Sequence, residues 1–132
     1  MVTIFDTFTW IEYFTDTKNA EIIEKYIENE DIITPSIVLL ELSYKADKEG
    51  WDFKKHLDFI KIKSKIAGLN EEFIIKFGKI YNECKKKVRG IGLADIYILA
   101  TAILNNGKVL TGDKHFESFE QTIFLKSNLD LK

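Results

Sequence analysis

The stretch Gly90–Gly107, GIGLADIYILATAILNNG, contains one charged side chain, Asp95. Ile96, Leu99, Ala100 and Ile103 recur within it at helical spacing, so Leu93–Leu104 reads as a buried helix, and Ala100, Thr101 and Ala102 permit close packing. Gly90 and Gly92 break the element before it, and Asn105-Asn106-Gly107 ends it with residues that tolerate a left-handed backbone. A carboxylate in an apolar helix loses its hydration, at a cost of several kcal/mol unless a metal, a cation or hydrogen bonds compensate. Asp95 therefore predicts a partner, and the flanking elements indicate what it is.

Downstream, Lys108–Thr111 centres on Val109 and Leu110, reads as a short strand and delivers Gly112 and Asp113. Val2–Phe5, a β-branched and aromatic run too short for a helix, likewise delivers Asp6 and Thr7. A third strand, Asp31–Thr34, leads into Thr34-Pro35-Ser36, where threonine suits the N-cap and proline the first helical position. The helix opened there sets Glu41 among Ile37, Val38, Leu39, Leu40 and Leu42. Taken alone, that second isolated acid could equally reach water from the edge of the stripe. Asp47, Lys48 and Glu49, before Gly50, read as a frayed, solvated end.

Upstream, Asn70 caps a long helix over Glu71–Lys87 whose apolar face is Phe73, Ile74, Phe77, Ile80, Tyr81, Cys84 and Val88. Lys85, Lys86, Lys87 and Arg89 form the densest positive patch in the chain, a few residues before Asp95. They either complement the helix C-terminus or, with Lys114 beside Asp113, hold a phosphate backbone. The rest is lighter in information. Phe8, Ile11, Tyr13 and Phe14 suggest a short helix in which Glu12 is a solvated or first-turn charge. Asn19–Asn29 is an amphipathic helix, and Trp51–Ile62 a surface helix with a solvated His56 on its charged face. Ser64–Gly68 and Thr122–Leu125 are short strands, Lys114–Phe119 a turn or short helix, and 126–132 a tail.

At 132 residues with 45% hydrophobic content, the chain fits a single domain, 1–132, with a real core. One cysteine, Cys84, rules out an internal disulfide, and its helix face makes it a buried small hydrophobe. The first residues lack a basic, then apolar, then small-residue leader, and no apolar run reaches the ~18 residues of a membrane span. A soluble, cytoplasmic protein is expected. With 19 Lys+Arg against 21 Asp+Glu, the net charge of −2 excludes a general nucleic-acid coat protein, though not an enzyme that recruits metal before substrate.

Short strands alternating with helical segments predict right-handed β-α-β crossovers, hence an α/β fold with a mainly parallel sheet covered by helices on both faces. Ligands of such sheets bind beyond the carboxyl ends of the strands. Asp6 and Asp113 sit at such ends, and Glu41 and Asp95 lie near the starts of helices able to face the same crevice. Four converging carboxylates repel one another unless cations neutralise them. Oxygen ligands with few histidines and no cysteine cluster favour Mg²⁺ or Mn²⁺ over zinc, and phosphodiester hydrolysis is the expected chemistry. A receiver-type phospho-acceptor site and an aspartyl phosphohydrolase both need acid pairs that this chain lacks around Asp6.

The four motifs Val2-Thr3-Ile4-Phe5-Asp6-Thr7, Pro35-Ser36-Ile37-Val38-Leu39-Leu40-Glu41-Leu42, Leu93–Ala102 and Leu110–Phe116 occur in an order and spacing similar to those of the PIN-domain ribonucleases. Within that family the chain resembles the VapC-type toxins of toxin–antitoxin pairs, over nearly its whole length. The resemblance implies a three-layer α/β/α Rossmann-like sandwich with Asp6, Glu41, Asp95 and Asp113 as the catalytic, metal-binding quartet. It implies Mg²⁺ or Mn²⁺ dependence, cleavage of single-stranded or loop RNA, a homodimer, and a small antitoxin protein whose tail covers the site. Thr111 matches a small hydroxyl residue of the family and is expected, with Thr7, to orient the ligands. Phe8 departs from the pattern, standing where many members carry a small polar residue. The rival expectation is a PIN-like module that keeps the fold and binds RNA or protein without catalysis.

Overall fold

β1 (Val2–Phe5) lies at the centre of the sheet, with Thr3, Ile4 and Phe5 fully buried, which explains a strand with scarcely a polar side chain in it. The computed structural model describes residues 1–125, and the expected tail at 126–132 lies outside the described residues. After β1 come α1 (Thr7–Phe14), α2 (Ala20–Asn29), β2 (Asp31–Pro35), α3 (Ser36–Glu49) and α4 (Phe53–Lys63). Then follow β3 (Lys65–Ala67), α5 (Glu71–Lys87), α6 (Leu93–Leu104), β4 (Lys108–Thr111), a 3₁₀ turn over Lys114–Phe116 and β5 (Thr122–Phe124).

The five strands stand in the order β3-β2-β1-β4-β5, and every neighbouring pair is parallel. Right-handed crossovers from β1 through β2 to β3 put α1–α4 on one face, and the return from β3 to β4 puts α5 and α6 on the other. The chain thus leaves β1 in one direction and re-enters beside it at β4 from the other. That reversal is the switch point at which such sheets open a crevice, and Asp6 and Asp113 follow the two strands that flank it.

Several local expectations are corrected. Thr34 is not a helix cap: it is buried within β2, where its hydroxyl accepts from the Trp10 indole at 3.1 Å and bonds the Ser64 hydroxyl at 2.8 Å, leaving Pro35 as the N-cap of α3. Residues Asp47–Glu49 are not frayed, since α3 continues to a left-handed Gly50 at φ 77°, although the three side chains are exposed. His56 is not solvated on a charged face. Its ring stacks on Phe14 at 4.1 Å at the edge of a cluster containing Trp10, Tyr13 and Phe59, and this burial lowers its pKa.

On α6, Ile96, Leu99 and Ala100 are buried as expected, but Ile103 reaches the surface while Ile98 and Ala102 are covered, because this helix packs on both the sheet and α5. On α5, Phe73 and the free Cys84 are buried, with the thiol pKa pushed up by that burial. Ile74, expected on the same buried face, is 60% exposed. It lines an apolar groove of 540 Å³ together with Ile37, Leu69, Phe77, Leu93 and Tyr97, open to solvent between α5 and the start of α6.

Candidate active site

Asp6 is built into a helix start. It N-caps α1, its Oδ1 accepting the Thr9 backbone N–H at 2.9 Å, while its Oδ2 accepts the Thr111 hydroxyl from the end of β4. These bonds hold a carboxylate that is only 2% exposed. Burial is the main reason its pKa is pushed up to about 7. Hydrogen bonds from Thr111 and Thr9 pull against that rise and the neighbouring Asp113 charge adds to it.

Asp113 repeats the pattern one strand over. It caps the 3₁₀ turn, its Oδ1 accepting the His115 backbone N–H at 2.9 Å, and its own N–H donates to the Thr111 hydroxyl at 2.9 Å. Thr111 thus joins the two acids. Glu41 lies in the second turn of α3, where the Thr7 hydroxyl donates to its Oε1 at 2.6 Å. Asp95 enters from the first turn of α6. Burial raises its pKa first, the Asp113 and Glu41 charges raise it further, and His115 opposes them.

All four predicted carboxylates line one crevice of 330 Å³ at the strand ends, together with Thr7, Phe8, Glu12 and Lys45. Phe8 packs so closely over Gly112 that a Cβ there would stand 2.4 Å from the ring, so the aromatic residue at this position requires the glycine before Asp113. The expected cations lie elsewhere. Lys85 turns back on its own chain, its Nζ donating to the Ile91 carbonyl at 2.6 Å. Lys86, Lys87, Arg89 and Lys114 are exposed, with Lys87 over the Phe119 ring, and none of the five lines the crevice.

Three neighbours escaped the sequence reading. Glu12 is neither solvated nor in the first turn: it is half-buried at the crevice and accepts from the Asn19 side chain at 2.9 Å. It follows Phe8 by four residues, one turn along one face of α1, which a helical-phase reading would have detected. Lys45 follows Glu41 by four residues, again one turn along one face, and is the one cation among the lining residues. His115 sits two residues after Asp113, its Nδ1 3.0 Å from Asp95 Oδ2 and 3.5 Å from Asp113 Oδ1.

The donor set suits a hard divalent cation. Neighbouring carboxylate charges raise the proton affinity of Asp6 and Asp95, so positive charge in the crevice is favoured, and the oxygen ligands match Mg²⁺ or Mn²⁺. Fold and site together define an α/β domain with a carboxylate-lined crevice at the switch point of a parallel sheet. The PIN domain family matches residues 3–121, and the chain belongs to that family. Ribonuclease VapC1 of Methanocaldococcus jannaschii is 32% identical over 117 residues, spanning 88% of this chain and 79% of that protein. VapBC2 from Rickettsia felis, solved bound to a promoter DNA fragment, superposes with a TM-score of 0.74 at 23% identity, over 95% of this chain and 98% of that one. VapC20 of Mycobacterium tuberculosis, described as a Sarcin-Ricin loop cleaving toxin, does so with a TM-score of 0.69 at 10% identity, over 95% of this chain and 98% of that one.

Proposed function

We propose that the chain is a metal-dependent endoribonuclease, working as a single domain in the cytoplasm as the toxin of a VapBC-type toxin–antitoxin pair. The observation that carries this reading is the convergence of Asp6, Glu41, Asp95 and Asp113 on one crevice, with Asp6 buried. Asp6, Asp95 and Asp113 would hold Mg²⁺ or Mn²⁺, with Glu41 beside them. The ion supplies the positive charge that favours hydrolysis of a phosphodiester.

The chain's own residues supply the rest. Thr111 and the Thr9 N–H fix both oxygens of Asp6, so its geometry is set before substrate arrives. Glu41 has one oxygen taken by Thr7, leaving Oε2 to accept a proton from an incoming water. Lys45 at the crevice meets the phosphate of the RNA backbone, with Lys86, Arg89 and Lys114 further out along its path.

Two partners accompany this reading. A second copy covers the apolar groove of Leu69, Ile74 and Leu93, which at 60–66% exposure is otherwise a liability in water. An antitoxin blocks the crevice with a tail whose basic side chains meet the acids.

Incubating the protein with a pool of RNA and Mn²⁺ or Mg²⁺ tests the proposal. Cleavage is expected with either ion, abolished by EDTA and reduced about 100-fold or more by Asp95→Asn, which keeps the fold. No cleavage by the wild type under any of these conditions would favour a non-catalytic RNA- or protein-binding module, and full activity of the variant would sink the metal-nuclease account.

A further inference from the structure

His115 stands apart from the oxygen donors around it. Its side chain is 59% exposed, yet the ring is aimed inward, with Nδ1 3.0 Å from Asp95 Oδ2 and 3.5 Å from Asp113 Oδ1. The 3.0 Å separation is a hydrogen bond in the chain without an ion, and it also matches the spacing of about 3 Å between two ligands placed cis on an octahedral ion with bonds of about 2.1 Å. One ligand atom from each of Asp95, Asp113 and His115 falls within 4.8 Å of the others.

The backbone holds the ring there. The His115 N–H is bonded to Asp113 Oδ1 at 2.9 Å, the Phe116 N–H to the Asp113 carbonyl at 3.1 Å, and the Phe116 side chain is buried. The imidazole is therefore carried on a fixed turn between two carboxylates from different elements.

We propose that His115 is a direct nitrogen ligand of the divalent ion, and that it biases this site toward Mn²⁺ over Mg²⁺. The inference rests on the metal-nuclease reading above and specifies the ligand set of that site. Mg²⁺ favours oxygen and gives up its waters reluctantly, whereas imidazole is a ligand of the transition metals. Nδ1 cannot hold a hydrogen bond and an ion at once, so binding replaces the Asp95 contact with a coordinate bond, and the ring's remaining proton sits on Nε2.

The direct test is pulsed electron paramagnetic resonance of the wild-type protein, free of any affinity tag and loaded with Mn²⁺. An imidazole ¹⁴N coupling is expected, and His115→Gln abolishes it while His56→Gln leaves it in place. The chain's two histidines make the assignment unambiguous. Calorimetry completes the test: His115→Gln weakens Mn²⁺ binding by about 10- to 100-fold and Mg²⁺ binding by much less. Mn²⁺ bound to the wild type without nitrogen coupling overturns the ligand role and leaves the nuclease reading standing. Failure of the wild type to bind either ion overturns the metal reading itself.

Discussion

The two sides of α6 present opposite departures from an ordinary protein surface. On one side Asp95 faces a crevice shared with four further carboxylates, where burial and mutual repulsion raise the proton affinity of Asp6 and Asp95. On the other, Leu93 and Tyr97 border a groove whose lining is almost wholly apolar and which includes the exposed Leu69 and Ile74. One side carries too much charge for an isolated chain and the other too little. Each imbalance calls for a partner of opposite kind, a cation for the first and an apolar protein surface for the second. Stability alone selects neither, and places where local rules are broken are where function resides.

The largest effect that distinguishes the two sides is electrostatic. Asp6 has a folded pKa of about 7 against 3.8 for the free side chain, so the folded state holds a proton that the unfolded chain gives up as pH rises. Metal-free stability should therefore fall between about pH 4 and pH 7 and level off above. Asp6→Asn removes that penalty and should stabilise the metal-free protein by about 4 kcal/mol at pH 8 and by almost nothing at pH 4. Urea unfolding in EDTA at the two pH values measures it. A destabilised variant at pH 8 would mean that Asp6 is a structural acid with a protein partner, and the contrast between the two sides of α6 would collapse.

The apolar side yields the next effect. Ile74→Glu places an unpaired charge in the groove and should weaken self-association by about 3 kcal/mol, or more than 100-fold, while the monomer, changed only at its surface, keeps its stability within about 0.5 kcal/mol. Sedimentation velocity across a concentration series reads the first and thermal unfolding the second. Unchanged association would assign the groove to a different partner.

The smallest effect refines the crevice. Thr7→Val deletes the hydroxyl that holds Glu41 Oε1 and should cost about 1 to 2 kcal/mol, which is a fall of roughly tenfold in kcat with little change in KM. A change in KM alone would mean that Thr7 serves binding rather than the alignment of Glu41.

The two sides of α6 also differ in how far the sequence discloses them. Asp95 is visible because nothing else in its helix is charged, and Asp6 and Asp113 because each ends a short apolar strand. Glu41 joins them on the same logic. Lys45 is hidden among other polar residues and Glu12 reads as an ordinary charge of a short helix, and only the phase of their helices relative to Glu41 and Phe8 turns them inward. The groove is hidden for a different reason. Ile74 recurs with Phe73 and Phe77 at helical spacing, and periodicity identifies an apolar face without saying whether a further layer covers all of it. Likewise the parallel sheet follows from alternating elements, whereas the stacking of His56 on Phe14 depends on how α1 and α4 meet, which neither segment encodes alone.

The most direct test of the central claim is anomalous diffraction from a crystal soaked in Mn²⁺. The account predicts an anomalous peak within about 2.3 Å of carboxylate oxygens of Asp6, Asp95 and Asp113, absent in an Asp95→Asn crystal soaked alongside. A soak at a concentration that saturates RNA cleavage and leaves no peak among these carboxylates would contradict it.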